Sequence, residues 1–201
     1  MRYEEFSPRQ LIVRANSPIH DIAIVCEGWA LRRIVRPNGV RQLAAVILPG
    51  EPVWVGSVFR GFLYFSALAA GPVTCCFVDR AFLSSKIVES PRLMRQLVDR
   101  GIAECERADR MIVSLSQHSA EQRVADFFLS LVERIEEAGA PNEDGLYSFP
   151  LKQAQLAELL GLTPVTVSQI LNRFRSRRIF ELNKGTLTVM NRKALEAIAI
   201  D

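Results

Sequence analysis

The side chains best equipped for recognition chemistry lie between Thr163 and Lys184. Val165, Ser168 and Gln169 fall on one side of the segment TPVTVSQILNRFRS, while its apolar residues Val167, Ile170, Leu171 and Phe174 recur at three- and four-residue steps on the other. A glutamine amide matches the adjacent donor and acceptor of adenine, and valine suits a thymine methyl, so these three are the candidates for base edges. Thr163, Thr166 and Asn172 suit hydrogen bonds to phosphate. Arg173, Arg175, Arg177 and Arg178 add charge at the end of the segment, where phosphate contact sets affinity and register without reading sequence. Each residue taken singly reads equally well as solvated surface, but the group does not. Residues 147–201 hold eight Lys or Arg against four Asp or Glu, whereas residues 1–146 hold seventeen against eighteen, so the positive excess belongs to the C-terminal segment.

Such side chains must be presented by a helix docked on another. In Leu151–Arg178, Leu156 and Leu160 lie four apart on one helical face, and Gly161 stands where the chain must leave that helix. Thr163 and Pro164 then read as N-cap and first-turn residue of a second helix, and small Ala157 allows close approach. A plain helical hairpin shares the periodicity. The small residue, glycine, cap and proline at these offsets favour a helix-turn-helix with a recognition helix over 163–176, whose N-terminal half enters the major groove. Ile179–Leu182 and Thr186–Val189 flank Asn183-Lys184-Gly185 as a hairpin, which makes the unit a winged helix and puts Lys184 at the wing tip for a phosphate contact.

Composition narrows the remaining classes. A chain of 201 residues, 49% hydrophobic, can bury a core and is not disordered. No apolar run reaches transmembrane length and the first fifteen residues lack a signal-peptide stretch, so a cytoplasmic protein with no membrane partner is expected. Cys26, Cys75, Cys76 and Cys105 lack metal-ligand spacing and read as buried reduced thiols, with redox sensing as the alternative. His20 and His118 are too few and too far apart for a histidine metal site or a hydrolytic triad. No metal, cofactor or enzymatic activity is expected.

Residues 1–89 read as short strands, Leu11–Val13, Ile22–Val25, Ala30–Val35, Gln42–Leu48 and Val73–Val78, separated by turn residues in the manner of an antiparallel barrel or sandwich. Pro37-Asn38-Gly39 signals a hairpin, with Arg32, Arg33 and Arg41 on solvated strand positions. From Pro91 to about Leu115 a helix carries two apolar stripes. Met94, Leu97, Gly101, Ala108, Met111 and Leu115 form the one expected to pair with a second copy; Val98, Ile102, Cys105 and Ile112 form the other. Packing within one subunit is the alternative, and Gly101 and Glu104 interrupt the seam. Ser119 three before Gln122 matches a capping box for a helix burying Val124, Phe127, Phe128, Leu131 and Ile135 and ending near Gly139. Pro141–Gly145 reads as a polar loop, 147–149 as a strand and 192–200 as a closing helix. The expected domains are 1–89 (barrel), 90–117 (dimerisation helix and hinge) and 118–201 (winged helix-turn-helix), an α+β chain.

In that order, these pieces resemble the Crp/Fnr superfamily of bacterial transcription regulators. The resemblance is carried by Glu27-Gly28-Trp29, Pro37-Asn38-Gly39-Val40-Arg41-Gln42, Leu48-Pro49-Gly50-Glu51, Ser119 to Ala125, and Leu156 to Ser168. It implies a jelly-roll barrel of the cyclic-nucleotide-binding type. It further implies a homodimer on a two-fold symmetric DNA site and contact with RNA polymerase; because the chain starts close to the first barrel strand, it is expected to lack the N-terminal extension many members have. Members that bind cyclic AMP carry a Gly-Glu-Leu step and then Arg-Ser-Ala in the barrel. Here Val55 stands for the glutamate and Leu63-Tyr64 for the arginine and serine, with Arg60 the nearby cation, and a buried phosphate without such donors is costly. Cyclic AMP dependence is therefore not expected. An iron–sulfur cluster is not expected without cysteines before Cys26, nor haem with His20 in a turn. Trp54, Phe59, Phe62, Tyr64 and Phe65 describe either an apolar effector pocket or a filled core. Many members have arginine at Gln169, so the preferred half-site should differ.

The alternatives within this fold are sensing of an apolar ligand by the barrel or of a redox signal by Cys75, Cys76 or Cys105. Outside it stand a cupin-like barrel enzyme, which lacks the necessary histidines, and a winged helix that binds protein.

Overall fold

The computed structural model describes residues 1–139 and 145–200. They form two compact units, Met1–Ala108 and Asp109–Asp201, and the division falls within a long helix. The polar loop expected at Pro141–Gly145 lies outside the described residues apart from Gly145.

The first unit is built from strands β1 (Arg2–Phe6), β2 (Leu11–Val13), β3 (Asp21–Glu27), β4 (Ala30–Val35), β5 (Arg41–Ile47), β6 (Ser66–Ala69) and β7 (Val73–Asp79). All pairings are antiparallel, in two sheets ordered β1-β7-β3 and β2-β6-β4-β5. Their facing sides supply one core, with Phe6, Val25, Cys75 and Phe77 from the first sheet and Ile12, Ala30, Ile47 and Ala67 from the second. This is the expected antiparallel barrel of jelly-roll type. The hairpin joining β4 and β5 turns at Pro37-Asn38-Gly39, closed by Arg36 N–H donating to Val40 O at 2.8 Å. In the Glu27-Gly28-Trp29 step, Gly28 has φ +73°, and a Cβ there would sit 2.1 Å from the Pro72 carbonyl oxygen, so only glycine fits.

Two strands and a helix go beyond what the sequence pattern predicts. β1 is polar on its outer face and owes its state to β7. β6, Ser-Ala-Leu-Ala, has little strand propensity of its own and is held extended by β2 and β4 on either side. Helix α1 (Arg80–Glu89) follows β7 directly, with Asp79 Oδ1 accepting from Phe82 N–H at 2.7 Å as its cap.

Helix α2 (Pro91–Gln117) is the long helix. Its two apolar stripes differ in what they meet within the first unit. Met94 and Leu97 pack against the Ile22, Val58 and Ile87 cluster of their own unit, and Gly101 faces Val55. Val98 and Ile102 are about half exposed, Cys105 is exposed and Ile112 is 64% exposed. The first half of the stripe expected to pair with a second copy therefore packs on its own unit, and the other stripe is exposed along its length. Ala108 and Leu115 are exposed and Met111 half-buried.

The second unit contains α3 (Ala120–Glu137), β8 (Leu146–Ser148), α4 (Gln153–Leu160), α5 (Pro164–Ser176), β9 (Phe180–Asn183), β10 (Thr186–Val189) and α6 (Arg192–Ile200), with sheet order β8-β10-β9. The capping box forms as expected: Ser119 Oγ accepts from Gln122 N–H and Gln122 Oε1 from Ser119 N–H. Phe128 is fully buried and touches Phe149 and Phe180, with ring centroids 5.3 and 4.4 Å away, and Phe174 lies 5.2 Å from Phe180. Phe127 and Ile135, expected in this core, are only half-buried; Ala125 and Val132 occupy the inner face instead. Among the described residues no helix is long and apolar enough to cross a membrane.

Candidate nucleic-acid interface

The geometry of the turn follows from its sequence. Gly161 takes φ +62°, ending α4; its N–H donates to Glu158 O and Leu162 N–H donates to Ala157 O at 2.9 Å, the paired bonds of a Schellman cap. Thr163 then caps α5, its Oγ1 accepting from Thr166 N–H at 3.1 Å, and Pro164 occupies the first helical turn where no N–H is needed. Leu156, Leu160, Val167, Ile170, Leu171 and Phe174 are all buried. Their burial fixes the rotation of α5 about its axis.

That rotation leaves Val165 66% exposed, Gln169 and Asn172 exposed, and Ser168 half-buried on the outer face. The Thr163 and Thr166 hydroxyls lie 2.8 Å apart, so one donates to the other. The wing is a two-residue hairpin with Asn183 opposite Thr186; Lys184 (φ 46°) and Gly185 (φ 83°) at its tip are both left-handed, as a type I′ turn requires. Gly185 O also accepts from Phe149 N–H at 2.7 Å, which ties the wing to the strand before α4.

The basic cluster is less free than its composition implies. Arg173 Nη1 and Arg177 Nη1 both donate to Glu121, near the start of α3, the second at 3.0 Å. Arg175 Nε pairs with Glu181 Oε1 at 3.3 Å. Arg178 makes no ion pair among the described residues. Sequence reading missed Glu121 and Glu181 as members of this surface, and a separation of 52 positions between Glu121 and Arg173 gives no local signal of their meeting.

The aromatic run of the first unit divides between core and surface. Phe65 is fully buried in the core, with the Trp54 and Tyr64 rings edge-on to it at 6.2 and 5.1 Å, whereas Phe62 and Tyr64 are about half exposed. Arg32, expected on a solvated position, instead shares the inner face of β4 with Ala30. Its guanidinium lies 4.4 Å from the Phe65 ring centroid and pairs with Glu104 of α2. The four cysteines also divide: Cys75 and Cys76 are buried as expected, Cys26 is half-buried and Cys105 exposed. Burial pushes the Cys75 thiol up to about 12, with Cys26 and Cys76 adding to the effect.

Residues 122–198 match the family model of the Crp-like helix-turn-helix domain. The nitrogen fixation regulation protein FixK of Bradyrhizobium diazoefficiens is 30% identical over 175 residues, which span 87% of this chain and 72% of that protein. The transcriptional activatory protein AadR of Rhodopseudomonas palustris is 24% identical over 198 residues, 98% of this chain and 81% of its own length. Among solved structures, FixK2 from Bradyrhizobium japonicum aligns with a TM-score of 0.85 at 22% identity, covering 98% of this chain and 96% of that one. A CooA mutant from Carboxydothermus hydrogenoformans aligns at 0.75 with 20% identity, covering 98% and 87%.

Proposed function

The chain belongs to the Crp/Fnr family of transcription regulators and is a DNA-binding regulator of that type; we propose that it acts as a homodimer on a palindromic site without cyclic AMP. Val165, Ser168 and Gln169 read base edges. Thr163, Thr166, Asn172, Arg173, Arg175 and Lys184 supply backbone contacts. The observation that carries this reading is the outward face of α5, where an exposed apolar side chain and an exposed amide stand beside each other at the N-terminal half of a capped helix whose opposite face is wholly buried.

Residues 90–117 join the two copies. Val98, Ile102, Cys105 and Ile112 repeat at heptad spacing and remain exposed within one chain, which supports them as the seam in place of Met94, Leu97 and Gly101. In the barrel, residues 1–89, Leu63 is buried where a phosphate would need a cation and Arg32 is already paired with Glu104, which supports independence from cyclic AMP. Residues 118–201 carry the DNA-binding unit. The protein works in the cytoplasm, touches RNA polymerase on DNA, and catalyses no reaction.

Selection from a randomised duplex pool, with the oligomeric state measured by light scattering, tests the whole reading. The expected result is a two-fold symmetric consensus bound by a dimer, unchanged by added cyclic AMP and weakening steeply with salt. An asymmetric consensus bound by a monomer would overturn it.

A further inference from the structure

We propose that Glu121 is a positioning residue that limits the sequence-independent part of this protein's DNA affinity, by holding Arg173 and Arg177 against α3. The proposal rests on the reading that α5 faces DNA. Glu121 lies in the first turn of α3, two residues after the Ser119 cap, and its side chain is only 22% exposed against about half for each arginine. Its two oxygens are divided between them: Oε2 accepts from Arg173 and Oε1 from Arg177.

Arg173 and Arg177 are four residues apart, so their guanidinium groups lie on the same side of the helix end and would repel each other without an anion between them. With Glu121 in place, the three groups carry a net charge of one instead of two. A phosphate that approaches must either share these donors or displace a carboxylate already held by charge-assisted bonds. Each arginine so held releases fewer counterions from DNA than a free one. Since counterion release supplies the affinity common to all sequences, Glu121 reduces random and specific binding alike.

The test is Glu121→Gln in the full-length protein, measured on a random duplex and on the selected site across a salt series, with thermal melting to confirm that the variant is folded. Glutamine keeps the size and one acceptor of the glutamate and removes its charge. The expected result is tighter binding to both duplexes, on the order of tenfold at about 0.1 M salt for each arginine freed to meet a phosphate, with the slope of log affinity against log salt steepened by about 0.9 per arginine. Adding Arg173→Gln and Arg177→Gln to Glu121→Gln should remove both the tighter binding and the extra slope. An unchanged slope in folded Glu121→Gln would overturn the proposal. So would a shallower slope with weaker binding, since Glu121 would then be presenting the arginines to DNA. If the unaltered protein bound no duplex at low salt, the reading of α5 would fail instead.

Discussion

Arg32 and Glu104 form an ion pair between β4 and α2, with the guanidinium lying 4.4 Å from the centre of the Phe65 ring and also 3.5 Å from the Val53 carbonyl oxygen. The side chains are 14% and 20% exposed, so the pair is largely removed from water. It joins a barrel strand, the segment before β6 and the long helix at one point. A polar residue that interrupts an apolar helical stripe in the sequence thereby has its partner, and an arginine that a strand pattern assigns to solvent has its reason for facing inward.

Glu104→Ala leaves Arg32 charged and mostly buried, and should destabilise the first unit by about 1–3 kcal/mol, below the full cost of stranding a wholly buried ion because some solvent reaches it. Replacing both residues by methionine should recover most of that loss, since two apolar side chains of similar length leave no stranded charge. Urea unfolding of the two variants measures both effects; equal losses in the single and double variants would rule out this account.

Two substitutions of the same kind test the proposal that the exposed stripe of α2 meets a second copy. Ile102→Glu places charge on the exposed stripe and should give a folded monomer, whereas Leu97→Glu places it against the Ile22, Val58 and Ile87 cluster and should unfold the first unit. Light scattering and circular dichroism separate these outcomes. Cys105 adds a check, because an equivalent heptad position on two parallel helices brings like residues face to face. Mild oxidation should link two copies through Cys105, and Cys105→Ser should abolish the link.

Gln169→Ala should change base preference at one symmetric pair of positions, at a cost of about 1–3 kcal/mol per half-site on the preferred sequence. Lys184→Ala should weaken all sequences about equally and make the salt slope shallower by about one per half-site. Binding to a panel of single-base variants distinguishes the two patterns. A uniform loss for Gln169→Ala would contradict its assignment as a base reader.

Acid and alkali should each loosen the second unit through Glu136. Tyr147 Oη donates to Glu136 Oε1 at 2.7 Å and Arg192 Nη1 donates to Oε2 at 2.8 Å, which holds the Glu136 carboxyl below its ordinary value of 4.5. A lowered folded value means stability that is present above pH 4.5 and lost as pH falls through it and then through the folded value. Burial, with Glu136 adding to it, pushes Tyr147 from 10.0 up to about 12, so its contribution is present below pH 10 and lost between 10 and about 12. Tyr147→Phe should cost about 1 kcal/mol at neutral pH and flatten the alkaline limb of a stability curve against pH.

Cys75 should resist a thiol reagent in the native protein at about pH 8, since its pKa of about 12 leaves almost no thiolate, and should react only as the barrel unfolds. Rapid labelling of Cys75 in folded protein would reopen it as a redox sensor.

Local rules sufficed where neighbours in sequence are also neighbours in space. Gly161, Thr163 and Pro164 dictate the turn through their own backbone preferences, Ser119 and Gln122 close a box three residues wide, and the period of Val167, Ile170 and Phe174 fixes which face of α5 is outward. The winged helix, most of the strand-rich first unit and the outward placing of Val165 and Gln169 were legible for that reason. The tertiary structure decided what depends on residues far apart in the chain. Two stripes of similar apolarity on α2 cannot be ranked until Ile22, Val58 and Ile87 choose Met94 and Leu97. β6 has no strand signal until β2 and β4 flank it. Arg32 and Glu104, 72 residues apart, and Glu121 and Arg173, 52 apart, find each other only because packing the apolar residues brings their strands and helices together. Charge pairing of this kind follows burial and does not direct it, because a carboxylate and a guanidinium have no preference for one partner until apolar contacts have fixed the distance between them.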